Sequence, residues 1–323
     1  MTSYSERLRS IVVPLDGSSV AEQALPAAIA IAERARCKIK LVLVHQPLLG
    51  IELGPAYTKL ELAMEKANRD YLRSVVARYR EQLGRSLSSA VLEGPVVATL
   101  ARYVREMSAD LIVMTSHGLG GIRRAWLGSV ADGLIRTSEV PILVVRAHEQ
   151  EQTPAVNMGE IMVPLDGSPL AEAVLEPVIA FARLWDAEIS LIQVVSPVIL
   201  TSDPLLPFPS GYSDQIMQIR REAAQDYIRD VAGRLREAGV KASGVAVISG
   251  GVANTLLDMA RPERVRLIGI ATHGRGGARR LVLGSVADKL VRAAEVPVLV
   301  VRPSNRPVRS GSRSREVAVA QTS

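Results

Sequence analysis

The chain reads as an α/β protein made of two doubly wound domains, each built on a five-stranded parallel sheet of order 3-2-1-4-5. Three observations predict this. Short apolar runs alternate with segments of helical periodicity along the whole chain. Valine, leucine, isoleucine and alanine dominate a composition that is 48% hydrophobic and only 3% aromatic, a mix suited to buried parallel strands covered by helices. Two blocks of sequence also occur twice, in the same order.

The repeat sets the domain count. IVVPLDGSSVAEQALP, beginning at Ile11, returns as IMVPLDGSPLAEAVLE, beginning at Ile161. HGLGGIRRAWLGSVAD, beginning at His117, returns as HGRGGARRLVLGSVAD, beginning at His273. A shared order at nearly the same spacing is the mark of a duplicated domain. The second spacing is six residues longer, and the insertion falls between the second strand and second helix, in a loop. The expected layout is a domain over residues 1–147, a polar linker over 148–158, a second domain over 159–302 and a disordered basic tail over 303–323.

Within each copy the elements follow in turn. Ile11 to Leu15 is a first strand, and Asp16-Gly17-Ser18 turns the chain into a helix with Ala21, Leu25, Ala28 and Ala32 on one face. Copy two repeats that face with Ala171, Leu175, Val178 and Ala182. Ser18 and Ser168 suit the N-cap, and Pro169 the first helical position. Ile39 to Val44 and Ile189 to Val195 are second strands. Leu60, Met64, Ala67, Tyr71 and Val75 mark the inner face of a long helix, matched by Ile216, Ala223, Tyr227 and Val231. Leu87 to Leu92, Leu111 to Thr115 and Val140 to Val145 complete the first set of strands, and Gly244 to Ile248, Leu267 to Ala271 and Val296 to Val301 the second. Right-handed crossovers force the strands parallel, and the order 3-2-1-4-5 opens a crevice at the carboxyl ends of strands one and four.

Both repeated blocks converge on that crevice. Asp16 and Asp166 close the first strand; Thr115-Ser116-His117-Gly118 and Ala271-Thr272-His273-Gly274 close the fourth. Gly118, Gly120 and Gly121, with Gly274, Gly276 and Gly277, allow backbone to approach a ligand closely. Gly128-Ser129 and Gly284-Ser285 then open a helix whose free N–H groups and dipole favour a phosphate. Singly, each residue also reads as a turn former or cap. Their twofold convergence predicts a phosphate-bearing ligand. The pattern differs from the lysine-containing phosphate loop and from the dinucleotide glycine fingerprint, because strand one runs into Asp-Gly-Ser. His117 and His273 lack a carboxylate or nucleophile placed beside them by sequence, so backbone hydrogen bonding outranks general-base chemistry. Arg123-Arg124 and Arg279-Arg280 suit phosphates and solvated ion pairs equally.

Other classes are disfavoured. The formal charge of +6 is concentrated in the tail, where Arg302, Arg306, Arg309, Arg313 and Arg315 face only Glu316, so no nucleic-acid partner is expected. Few aromatics argue against base-stacking modules. Cys37 is the only cysteine, which rules out an intrachain disulfide. Neither a leader nor a spanning segment is legible, and a cytoplasmic protein without a membrane partner is expected.

At these residues the chain resembles a tandem universal stress protein, over residues 8–146 and 159–302. The resemblance implies an adenine-nucleotide site in each domain. In copy one it falls on Pro14, Asp16, Gly17, Val44, His45, Ser116 to Gly118, Gly121 and Gly128 to Val130. In copy two it falls on Pro164, Asp166, Gly167, Val194, Val195, Thr272 to Gly274, Gly277 and Gly284 to Val286. It implies ATP as the ligand, with Mg2+ beside its phosphates, and last strands that pair antiparallel between the two copies. The family's ATP-binding branch carries Gly, two residues, Gly, nine residues, then Gly-Ser. Here the first of these glycines is replaced by Thr115 in copy one and Ala271 in copy two, which favours copy two as the better site. The expected role is a stress-response regulator rather than an enzyme. Slow ATP hydrolysis and a nucleotide-free interaction module are the alternatives; a protein partner and homo-oligomerisation stay open.

Overall fold

The computed structural model describes residues 8–47, 54–116, 127–147, 159–197, 212–261, 263–272 and 283–303. The expected linker, residues 304–323 of the expected tail, and the loop residues His117, Gly118, Gly121, His273, Gly274, Gly277 and the two arginine pairs lie outside them.

The first unit runs β1 Ser10–Leu15, α1 Ser19–Glu22, α2 Leu25–Ala35, β2 Lys38–His45, α3 Gly54–Leu83, β3 Leu87–Glu93, α4 Val96–Glu106, β4 Leu111–Thr115, α5 Ser129–Thr137 and β5 Ile142–Val145. The second repeats it as β6 Glu160–Pro164, α6 Pro169–Glu172, α7 Leu175–Trp185, β7 Glu188–Val195, α8 Tyr212–Glu237, β8 Ala242–Ile248, α9 Val252–Met259, β9 Val265–Ala271, α10 Ser285–Ala293 and β10 Val298–Val301. The strands form one ten-stranded sheet, β3-β2-β1-β4-β5-β10-β9-β6-β7-β8. The two expected five-stranded sheets are thus joined into one, through the antiparallel pairing of last strands that the family resemblance implies. β5 and β10 pair antiparallel, with Val144 opposite Val298, Leu143 opposite Leu299 and Ile142 opposite Val300, so the edge each sheet would expose is covered by the other. Pro141 and Pro297 delay both strands by two residues relative to expectation, because proline has no N–H to give the ladder.

Strand residues alternate between two cores. Ile11, Val13 and Leu15 face α1 to α3; Val12 and Ile112 belong to the opposite cluster, with Leu100 of α4 and Leu134 of α5. Ala21, Leu25, Ala28 and Ala32 are all buried as expected, but on two helices rather than one. Pro26 lies at the start of α2, where it cannot donate to the preceding turn and crowds its carbonyl. The long helix departs more. Leu72 and Val75 are buried, whereas Leu60 and Met64 are 51% and 37% exposed. The half-buried row there is Glu61, Glu65 and Asn68, because this part of α3 faces the end of β2.

The joint carries polar contacts as well. Arg292 lies between Asp288, at 2.8 Å, and Asp132 of the other unit, at 3.8 Å. The Arg146 guanidinium donates to the carbonyls of Arg292 and Ala294 at 3.2 and 3.0 Å. On the opposite face Arg34 of α2 stands 4.9 Å from the ring centroid of Trp185 on α7, a cation–π contact between the units.

Two outcomes follow from this packing. A Cβ on Gly269 would come within 2.4 Å of the Val178 methyl, so Gly269→Ala should cost about 1–3 kcal/mol in urea unfolding through overpacking. The hydrogen bond from Arg136, helped by its charge and that of Arg292, holds the Asp132 carboxyl below its usual range. Its contribution is fully present above the unfolded carboxylate pKa of about 4 and is lost as pH falls through the lower folded value. Wild type should therefore be more stable than Asp132→Asn at pH 6, with the gap closing in acid unfolding series below about pH 4.

Candidate functional site

The chain leaves β1 and β6 through the same turn. The Asp16 carboxylate accepts from the Ser18 N–H at 3.0 Å and hydroxyl at 2.6 Å; Asp166 holds Ser168 at 2.9 and 2.6 Å. Each serine oxygen then accepts the N–H of Ala21 or Ala171, at 3.1 and 3.2 Å, capping the helix as the sequence predicts. Gly17 and Gly167 have φ of +87° and +83°, a region that favours glycine. The aspartates thus organise the crevice rim as well as lining it.

The end of the fourth strand in each unit is bonded to the start of the next helix. Thr115, Ser116 and Thr272 are buried. The Gly128 N–H donates to the Ser116 carbonyl at 2.8 Å, and Gly284 to Thr272 at 2.9 Å, which fixes both feet of each glycine-rich loop. Gly128 and Gly284 occupy the cap position, without a side-chain cap bond. Ser129 and Ser285 are therefore the first helical residues, with Val130 and Val286 following. Uncapped helix starts leave N–H donors facing the crevice.

In the second unit these features enclose a cleft of about 750 Å³, within the range of small-molecule and cofactor sites. Pro164, Asp166, Gly167, Val194, Val195, Ala271, Thr272, Gly284, Ser285 and Val286 all line it. Lining residues that were not anticipated include Arg220, Ala223, Ala224 and Tyr227 from α8, Val252 and Leu256 from α9, and Gln193 from β7. Burial, then the adjoining Glu172, holds the Tyr227 hydroxyl well above the usual phenol range. It remains a proton donor, bonded to Glu172 at 3.0 Å.

The first unit brings Pro14, Asp16, Gly17, Val44, Thr115, Ser116, Gly128, Ser129 and Val130 to the equivalent edge of the sheet. The space beside β2 is different. A cavity of about 290 Å³ is lined by His45, Pro47, Glu61, Glu65, Val91, Leu92 and Glu93; of the expected first-unit residues it includes His45 alone. His45 is 7% exposed. One ring nitrogen meets the Glu61 carboxylate, and the other lies 3.2 Å from the Asn68 amide.

The two long helices align through Tyr71 and Tyr227, which both bond the glutamate of the short entry helix at 3.0 Å. In that alignment His45, Glu61 and Asn68 correspond to Val195, Met217 and Ala224. The second trio, with Ala246, forms a small apolar cluster. A polar latch between the second strand and the long helix in one unit is thus an apolar wall in the other. The periodicity of α3 and α8 alone could not show this; aligning the two copies residue by residue would have.

A profile of the Universal stress protein family matches residues 7–146 and 158–302. The chain belongs to that family. A universal stress protein of Mycobacterium tuberculosis is 27% identical over 310 residues, covering 94% of this chain and all of the relative. One from Methanocaldococcus jannaschii is 31% identical over 144 residues, 44% of this chain and 81% of its own. A crystal structure of a universal stress protein from Archaeoglobus fulgidus superposes with a TM-score of 0.65 at 17% identity, covering 94% of this chain and 99% of that one. The tandem α/β fold of this universal stress protein is accordingly that of the family. Among the described residues no helix is long and apolar enough to cross a membrane.

The latch makes a stability prediction. His45→Val strands Glu61 and Asn68 beside an apolar residue and should cost about 1–3 kcal/mol in chemical unfolding. Adding Glu61→Met and Asn68→Ala, which installs the second unit's trio, should recover most of that loss.

Proposed function

We propose that this universal stress protein is an ATP-binding stress-response regulator whose principal nucleotide site is the cleft of the second unit. The observation that carries this reading is the cleft itself: both repeated blocks, separated by about a hundred residues of chain, contribute to one space large enough for a nucleotide. The triphosphate belongs at the start of α10, where uncapped N–H groups and the helix dipole attract negative charge. The adenine belongs between the end of β7 and α8, against Val195, Ala224 and Tyr227. Strands β9, β6 and β7 are consecutive in the sheet, so two spacings of about 4.8 Å separate the ends, comparable to the reach of a nucleotide. Asp166, at the exit of β6, lies between them.

Among the described residues no His, Cys, Asp or Glu group is arranged to hold a metal. A Mg2+ ion in this reading travels with the phosphates of ATP rather than with a protein ligand set. The role in this reading is binding and signalling, with the nucleotide seated beside Thr272 and Gly284. The first unit, latched by His45, Glu61 and Asn68, holds its own form beside β2 and takes nucleotide more weakly.

Titration calorimetry tests the assignment. Wild type should bind about one ATP per chain, and Ala224→Leu, which fills the adenine wall, should weaken binding at least tenfold, roughly 1.4 kcal/mol. Unchanged binding by a folded Ala224→Leu would remove the second cleft as the site.

A further inference from the structure

Gln193 is a glutamine where the pattern of the fold calls for an apolar residue. It lies on β7 between Ile192 and Val194, is 7% exposed, and corresponds to Leu43 in the first unit, which is buried in the core. Its side-chain oxygen is buried without a hydrogen-bond partner among the described residues. An unsatisfied buried amide oxygen costs about 1–3 kcal/mol, so a protein retains one where a ligand or water completes it. Gln193 also lines the second cleft. Across the ladder it stands opposite Ala246, whereas Leu43 stands opposite the larger Val91. The second unit thus has a polar group and a smaller neighbour at the place where the first has two aliphatic side chains.

We infer that Gln193 reads the base edge of the bound nucleotide, selecting a purine that carries a hydrogen-bonding group at position 6. The inference rests on the nucleotide reading given above and adds the group that sets base preference. A carbonyl acceptor requires a donor from the ligand. In a cleft walled by Val195, Ala224 and Tyr227, that donor comes from the heterocycle rather than from phosphate, which has only acceptors at neutral pH. The 6-amino group of adenine supplies it. A purine with a 6-carbonyl would pair only with the Gln193 amide turned over to present its N–H2, and one with hydrogen at position 6 would leave Gln193 unpaired.

The test compares binding of ATP, inosine triphosphate and purine riboside triphosphate, which has hydrogen in place of the amine, to the full chain. Wild type should prefer ATP and inosine triphosphate over purine riboside triphosphate by roughly tenfold or more. Gln193→Leu, the residue found in the first unit, and Gln193→Met, closer in length, should bind all three within about twofold. Gln193→Glu, which keeps the acceptor, should retain the preference for ATP over purine riboside triphosphate. Thermal unfolding identifies which of the two apolar variants is folded, and either one suffices. A folded apolar variant that still discriminates, or a wild type that binds the three equally, overturns the role of Gln193 while leaving nucleotide binding intact. A wild type that binds none of them overturns the nucleotide reading and this inference together.

Discussion

The contact between the end of the second strand and the long helix that follows is the constraint on which the two halves of this molecule part. In the first unit a buried imidazole at His45 is satisfied on both sides by Glu61 and Asn68. Buried polar groups persist where their hydrogen bonds are made, and such a set resists opening because each member would lose its partner. In the second unit Val195, Met217 and Ala224 pack into an apolar cluster instead. Val195 and Ala224 form part of the wall of the second unit's cleft, the surface to which the proposed reading assigns the base. The duplication therefore gave two scaffolds of one design whose interiors differ at this contact by His45, Glu61 and Asn68 against Val195, Met217 and Ala224.

The scaffold itself depends on the antiparallel join of β5 and β10. Fusing the sheets removes two exposed edges and places both long helices on the same face, with Arg34 against Trp185 across the seam. The fourth strand of each unit is adjacent to this join, since β4 pairs β5 and β9 pairs β10. The feet of both glycine-rich loops are bonded to those last strands as well: the Ser116 N–H donates to Val145 and the Thr272 N–H to Val301, each at 2.9 Å. A change in either loop is consequently two hydrogen bonds away from the seam, a short route for coupling the units.

Much of the architecture was legible because it rests on local and periodic signals. The apolar runs, the serine caps at Ser18 and Ser168 and the Gly-Ser helix starts place the elements without reference to distant contacts. The join of the two sheets was accessible only through the family resemblance, since strand pairing between copies leaves no periodic trace within β5 or β10. The misassigned inner face of α3 has a similar cause. Leu60 and Met64 have helical spacing with Tyr71, but that end of the helix faces His45 rather than the sheet, so a row of glutamates and an asparagine turns inward instead. Ten expected second-unit residues line the cleft; Gln193 was missed because a lone glutamine in a strand carries no periodic or motif signal. Only its comparison with Leu43, together with its burial, distinguishes it.

The most direct test of the central claim is a crystal structure of the full chain grown with excess ATP. The account predicts electron density for one ATP in the second cleft, triphosphate at the amide start of α10 and adenine between β7 and α8. A second cleft that is filled by the chain's own side chains, with the nucleotide absent or seated only beside His45, would contradict it.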